Sequence, residues 1–251
     1  MAMAAMSSDL FIRIPPTGEF GKSQDPSVSS DFTRKFVYVD HHTYYEGRHT
    51  DWQLIFSAMA KATDSKGKTL AAAARLFRQQ GYHGTALHDI LTAGGSPRGS
   101  LYFHFPKGKE QIGAAALTLA GEAVRQAIAK AAETSENAEM FLTRIVRSMA
   151  SDLEKSDYKE GCPIATTALE TAAQSEVLGA ATRSAFQKWE LEIKRGLFRL
   201  GIPAGDADLA ATTVLSQLEG ALLLARTYRS LEPLRRAEQA VKLLVRGRAG
   251  E

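Results

Sequence analysis

Residues 85–109 read T-A-L-H-D-I-L-T-A-G-G-S-P-R-G-S-L-Y-F-H-F-P-K-G-K, and this stretch predicts a helix-turn-helix. Two short helical segments, Leu87 to Ala93 and Pro97 to Phe103, are separated by Gly94-Gly95-Ser96. Three residues are too few to do anything except turn one helix sharply against the next. The glycines allow the positive φ of such a turn, and a serine followed by a proline suits the start of a helix.

The second of these helices has an unusually bare leading edge. Arg98, Gly99 and Ser100 give it one long cation and little bulk. Such a helix fits a DNA major groove about 12 Å wide, where arginine is the commonest bidentate partner of guanine. The alternative is a helical hairpin buried in a core, which would favour Leu or Ile at these three positions. The sequence therefore favours a recognition helix.

The segment that follows, L-Y-F-H-F-P-K-G-K-E, carries a family resemblance. Together with the upstream stretch A-A-A-A-R-L-F-R-Q-Q-G-Y-H-G-T, it resembles the DNA-binding domain of TetR-family transcriptional repressors over residues 66–117. With Gly161-Cys162-Pro163 and the stretch F-Q-K-W-E at residues 186–190, the chain is similar to the LmrA and YxaF group of drug-responsive repressors over residues 63–245.

This resemblance implies roles for individual residues at the DNA. It implies that Arg98 contacts a base edge, and that Thr85, Tyr102, His104 and Lys109 hold phosphates. Thr85 would also cap the first helix of the helix-turn-helix. The partner would be double-stranded operator DNA.

The charge distribution supports this assignment. Residues 61–110 hold eight Lys or Arg against three Asp or Glu, a net charge of +5, while residues 1–60 carry −2 and residues 111–251 are neutral. A basic patch on one domain of a near-neutral chain is typical of phosphate contact, although a solvated helix face would give the same excess. The basic residues are Lys61, Lys66, Lys68, Arg75, Arg78, Arg98, Lys107 and Lys109.

The chain after residue 110 is predicted to be all helical. It is rich in Ala, Leu, Glu, Arg and Lys, and no run alternates at period two. Apolar stripes and breaks delimit a long helix from about 107 to 133 and helices near 137–155, 163–173, 175–200, 206–229 and 233–246. We therefore expect an all-α fold of about nine helices, with a DNA-binding domain of three helices over residues 63–110 and a larger effector-binding and dimerisation domain over residues 111–251.

The helix at 206–229 is apolar around much of its circumference, so a second surface must cover it. The resemblance implies a homodimer through the last two helices, at about 206–246. Two recognition helices spaced one helical turn apart would suit a palindromic operator. The alternative is a monomer with one large core.

An effector pocket is implied by the resemblance more than by any residue pattern. A cavity between the helices of a bundle is a common ligand site, although each candidate could equally be plain core. An apolar lining favours a lipophilic or aromatic effector, which we expect to act by tilting the long helix. The candidate lining residues are Met149, Leu153, Ile164, Leu169, Phe186, Trp189, Leu215, Leu218 and Glu219.

The sequence suggests no enzyme. It holds no catalytic residue arrangement, no metal-ligand spacing among its histidines and no cofactor motif. Cys162 is the only cysteine, which favours a reducing cytoplasm, and its place at a helix start would lower its pKa, although a packed thiol is the simpler interpretation. The alternative function is a helical ligand-binding or enzymatic protein that retains a helix-turn-helix.

The first 62 residues need a separate account. They include three of the eight prolines and do not have a helical pattern. We expect an accessory or mis-assigned extension that is largely disordered. No secretory signal and no stretch long enough to span a membrane is visible in the chain.

Overall fold

The computed structural model describes residues 65–96 and 98–246, apart from the side chains of Arg98, Ser100 and Leu101. All regular structure in this part is helical, which confirms the all-α fold class. The extension predicted for residues 1–62 lies outside the described residues. The described residues form nine helices, α1 (Ser65–Gln80), α2 (Leu87–Gly94), α3 (Arg98–His104), α4 (Lys109–Glu133), α5 (Ala138–Lys155), α6 (Pro163–Thr171), α7 (Glu176–Arg199), α8 (Ala204–Tyr228) and α9 (Glu232–Val245).

The turn between α2 and α3 forms as predicted, and each of its three residues has a different structural role. Gly95 has φ 61°, a left-handed conformation that glycine adopts without strain. Gly94 is still helical, and it permits close packing because a Cβ there would lie 3.2 Å from the Lys68 carbonyl oxygen of α1. The Ser96 hydroxyl bonds with the Thr69 hydroxyl of α1 at 2.8 Å. The turn is therefore held against α1.

The observed helix ends follow local capping. Helix α4 begins at Lys109 rather than Lys107, because Gly108 has φ 68° and cannot belong to a helix. Helix α8 begins at Ala204, earlier than expected, because Pro203 takes the extended conformation that precedes a helix.

Helices α4 and α7 form the centre of the larger helical part. They approach closely where a Cβ at Gly121 would lie 2.8 Å from the Cβ of Ala185. The indole N–H of Trp189 donates to the Gly121 carbonyl oxygen at 2.7 Å, so its one polar atom is satisfied in the core. Most residues of the predicted apolar stripes of α5, α7 and α8 are buried, among them Phe141, Ile193 and Val214, while Met149 and Phe186 are half-buried.

Helices α8 and α9 leave apolar side chains uncovered in the single chain. Helix α8 buries one face, which includes Ala211 and Leu218. Its other face exposes large side chains, as does one position of α9: Leu209, Leu223, Leu224, Tyr228 and Leu243. No helix within residues 65–96 and 98–246 has both the length and the apolar character needed to cross a lipid bilayer.

Candidate DNA-binding surface and effector cavity

Helix α3 presents aromatic and bare positions to the outside. The Tyr102 side chain is 60% exposed and that of Phe103 is 83% exposed. Gly99 is exposed, and a Cβ built there meets nothing within 4 Å. Phe105 directly after the helix is buried and anchors it to the core. This arrangement leaves open space along α3 for a partner.

His104 and Lys109 lie half-buried at the edge of this surface. The Lys109 Nζ lies 4.2 Å from the centroid of the Tyr82 ring, a cation–π contact. Burial lowers the pKa of Lys109, and the Glu170 carboxylate opposes that shift. The phosphate-binding roles of Tyr102, His104 and Lys109 stay predictions.

Thr85 does not have the role that we expected. Its side chain is fully buried, and its hydroxyl donates to the Gly81 carbonyl oxygen at 2.7 Å. The N-cap of α2 is Ala86, whose N–H donates to the Asp89 carboxylate at 3.1 Å. The Thr85 side chain therefore braces the turn after α1 and is not free to hold a phosphate.

The basic side chains of this region divide into two kinds. Lys66, Lys68, Arg75 and Lys107 are exposed, as phosphate contact requires. Arg78 is buried, so its side chain is not available for the predicted contact with phosphate. The side chains of Arg98 and Ser100 lie outside the described part of the structure, and Lys61 lies outside the described residues.

Arg78 instead connects α1 to the loop before α6. Its Nε donates to the Gly161 carbonyl oxygen at 3.0 Å, and its Nη1 lies 3.2 Å from Glu160 Oε2. The neighbouring Gln79 donates to Glu160 Oε1 at 2.9 Å, and the Arg226 guanidinium of α8 donates to the Gln79 carbonyl oxygen at 2.7 Å. We call these five residues the α1 joint.

A cavity of about 70 Å³ lies behind the α1 joint. Helices α4, α5, α7 and α8 supply its apolar walls, and Arg78, Glu160 and Gly161 of the joint line it too. Six of the residues predicted from the sequence are in its lining: Met149, Leu153, Trp189, Leu215, Leu218 and Glu219.

The other three predicted lining residues lie elsewhere. Leu169 is 84% exposed on the outer face of α6, so its side chain cannot line this cavity. Ile164 is fully buried in the core beside the cavity rather than in its wall. Phe186 packs edge-to-face on Trp189, with ring centroids 5.5 Å apart, and reaches the lining only through that tryptophan.

Sequence reasoning missed three charged lining residues, Arg78, Asp152 and Glu160. Asp152 falls one position before Leu153 on the apolar stripe of α5, which was a usable signal. Glu160 belonged to a predicted break between helices, and nothing local to it indicated an ion pair with α1.

Cys162 and Glu219 both line the cavity. Burial raises the pKa of Glu219 to about 7, and the neighbouring Cys162 thiol opposes this shift. Burial, and then the Glu219 carboxylate, raise the pKa of Cys162 well above its ordinary value. The expected lowering at the helix start is therefore wrong, although the Sγ does accept from the Ala165 N–H at 3.4 Å. A thiol with a raised pKa is a poor nucleophile.

Comparisons with known proteins agree with this geometry. The profile described as "Transcriptional regulator LmrA/YxaF-like, C-terminal domain" matches residues 138–240, and "Bacterial regulatory proteins, tetR family" matches residues 70–116. The chain is 33% identical to the transcriptional regulator YxaF of Bacillus subtilis over 188 residues, which cover 75% of this chain and 98% of that protein. It is 36% identical to LmrA of the same organism over 171 residues, which cover 68% and 91%.

A solved structure shows the same fold. The TetR transcriptional regulator from Legionella pneumophila superposes with a TM-score of 0.66 at 21% identity, over 73% of this chain and 98% of that one. The matched families and relatives are transcriptional regulators rather than enzymes. The chain belongs to the TetR family of DNA-binding transcriptional regulators, in its LmrA/YxaF-like group.

Proposed function

We propose that this protein is a repressor that binds a palindromic operator as a homodimer and is released by a lipophilic or aromatic small molecule. Residues 63–110 bind the DNA, and residues 111–251 bind the effector and form the dimer. The observation that carries this proposal is the α1 joint. It bonds the helix that packs against the helix-turn-helix directly to the wall of an apolar cavity.

The α1 joint gives the effector a short route to the DNA. A ligand that enlarges the cavity presses on Glu160 and Gly161, which are bonded to Arg78 and Gln79 at the end of α1. A displacement of α1 carries the α2–α3 turn with it, because Ser96 and Gly94 are packed on α1. The long helix α4, which also lines the cavity and begins beside α3, is a second route.

The uncovered apolar side chains of α8 and α9 support the dimer. Leu209, Leu223, Leu224 and Tyr228 of α8, with Leu243 of α9, form the kind of surface that a second copy covers. Sedimentation equilibrium should therefore give a dimer for the natural chain. The double change Leu223→Glu and Leu224→Glu should give a folded monomer, since charges at these exposed positions oppose only the interface.

Selection of bound fragments from a pool of random DNA duplexes tests the function. The full chain should enrich an inverted repeat whose half-sites are spaced by about one helical turn or a multiple of it. Its affinity for the selected site should fall steeply with salt. A protein that uses the helix-turn-helix for another purpose would enrich no sequence, and a single half-site would contradict the dimeric arrangement.

A further inference from the structure

The cavity holds a carboxyl group that its apolar walls do not satisfy. Glu219 lies on the inner face of α8 between Leu215, Leu218 and Leu222, all of which line the cavity. The polar group beside it in the lining is the Cys162 thiol, which is a weak donor. Glu219 is half-buried and lines the cavity. A carboxyl in such a place costs free energy unless a better partner arrives.

The charges around Glu219 decide what that partner is. In the described lining, α4 and α7 contribute only apolar groups and the Trp189 indole, α5 contributes Asp152, and the loop before α6 contributes Glu160 and Cys162. Arg78 is the single base of this lining, and it is already engaged with Glu160 and Gly161. The lining therefore has three acids and one base.

This balance separates three kinds of aromatic ligand. A ligand carboxylate would meet acids and an occupied arginine. A ligand alcohol would find one hydrogen-bond acceptor in Glu219. A ligand ammonium would meet a carboxylate that lacks a cation, in a place where the low local dielectric strengthens their attraction.

We propose that the cavity binds a lipophilic primary amine, whose ammonium pairs with the Glu219 carboxylate and whose aromatic body packs against Trp189 and Leu215. This inference rests on the proposed function, because it names the chemical class of the effector for the same cavity.

The proposal has a consequence for protons. Because the pKa of Glu219 is about 7, its carboxyl group is mostly protonated below that pH when no ligand is bound. An ammonium ion binds the ionised carboxylate, so the carboxyl proton leaves to solvent as the amine binds. Asp152, Glu160, Arg78 and Cys162 are the neighbouring ionisable groups of the lining, so the Glu219→Gln variant identifies the group that releases the proton.

Isothermal titration calorimetry of the full chain tests this with phenethylamine, phenethyl alcohol and phenylacetate. These probes share one ring and one chain length. At a pH of about 8.5 the amine should bind about tenfold more tightly than the alcohol, since a charged hydrogen bond adds to the same apolar contact, and phenylacetate should bind most weakly. In buffers of different ionisation enthalpy at a pH of about 6, amine binding should release close to one proton, and alcohol binding none.

Variants locate the effect. Glu219→Gln should reduce amine affinity to that of the alcohol, leave alcohol affinity unchanged and abolish proton release. The matched control, Glu154→Gln, changes an exposed acid on α5 and should alter none of these values. Leu215→Trp fills the cavity and should abolish binding of all three probes, which confirms where they bind even if Glu219→Gln fails to fold.

Specific outcomes overturn the proposal. They are equal affinities for amine and alcohol in the natural chain, no proton release, full amine affinity in Glu219→Gln, or no binding of any probe. The proposed function is tested apart from this by operator binding. An alcohol that enters the cavity and releases the operator supports the function while the amine proposal fails. An amine held by Glu219 that leaves operator affinity unchanged supports the ligand class while the regulatory role fails.

Discussion

The surface of α3 and the cavity behind the α1 joint are opposite in chemistry. The α3 surface is exposed, bare at Gly99 and aromatic at Tyr102 and Phe103, and basic side chains such as Lys107 surround it. The cavity is apolar, and its charged groups are mostly acids. The first region suits a polyanion and the second suits an apolar molecule with a donor. Because the two regions are separate, an effector bound in the cavity, as proposed above, would affect DNA binding only through the protein.

The largest expected effect comes from breaking the connection between the two regions. Arg78→Met leaves the half-buried Glu160 without its cation, so the free energy of unfolding should fall by about 3 kcal/mol. Urea denaturation measures this loss. Arg75→Met on the exposed side of the same helix is the control and should change stability by less than about 0.5 kcal/mol.

The double variant Arg78→Met, Glu160→Met sharpens this prediction. It removes both charges together, and it should recover much of the lost stability while the side-chain bonds of Arg78 and Glu160 in the α1 joint stay broken. If Arg78→Met alone were as stable as the natural chain, the α1 joint would not be a structural connection.

The DNA surface should respond next. Arg98→Ala should cost about 1 to 3 kcal/mol of operator binding and relax the preference at one position in each half-site. Lys109→Met keeps the packing on Tyr82. It should weaken binding to all DNA sequences alike and lower the slope of log affinity against log salt concentration by about one. Fluorescence anisotropy on operator and random duplexes separates these two patterns. Unchanged affinities for both duplexes in Arg98→Ala would remove α3 from the role of recognition helix.

The pH dependence of stability should show the raised pKa of Glu219 in the cavity wall. The folded pKa of Glu219, about 7, lies above the ordinary value of 4.5, so the natural chain loses stability as the pH rises from about 4.5 through 7. Glu219→Gln avoids this loss. It should match the natural chain at a pH of about 4 and exceed it by roughly 1 to 3 kcal/mol at a pH of about 8.5, since one pKa unit is worth about 1.4 kcal/mol. Melting curves across this pH range measure the difference in stability between Glu219→Gln and the natural chain. A stability difference that does not vary with pH would mean that the pKa of Glu219 is not raised.

The parts of the fold that depend on neighbouring residues were predictable from the sequence. The Gly94-Gly95 turn and the extent of α2 follow from local rules, and the structure agrees within one residue. The cavity residues Met149 and Trp189 were also within reach, because a period of 3.6 residues identifies the inner face of a long helix.

Contacts between distant segments were not predictable. Arg78 looks like Arg75 in the sequence, and only the folded chain brings Glu160 to one of them. Ile164 and Leu169 are both apolar residues of the short helix α6, yet one is buried and the other exposed. So short a helix has no long stripe that shows which face is inside.

The smallest expected effect concerns that exposed leucine. Leu169→Ser should change the free energy of unfolding by less than about 0.5 kcal/mol and should leave effector affinity unaltered. Leu218→Ala, which removes buried apolar contacts in the cavity wall, should instead lower the free energy of unfolding. A loss of effector binding in Leu169→Ser would mean that the pocket lies outside the cavity described above.

The most direct test of the central claim compares the affinity of one compound for the free protein and for the operator complex. The compound is chosen from an aromatic and lipophilic library because it raises the melting temperature of the natural chain but not of Leu215→Trp. Because coupling between two sites is reciprocal, the compound should bind the operator complex about 5- to 150-fold more weakly than the free protein. The ratio should be smaller in the double variant Arg78→Met, Glu160→Met, which removes side-chain bonds of the α1 joint and leaves the second route through α4. Equal affinities of the natural chain in the two states would contradict the account.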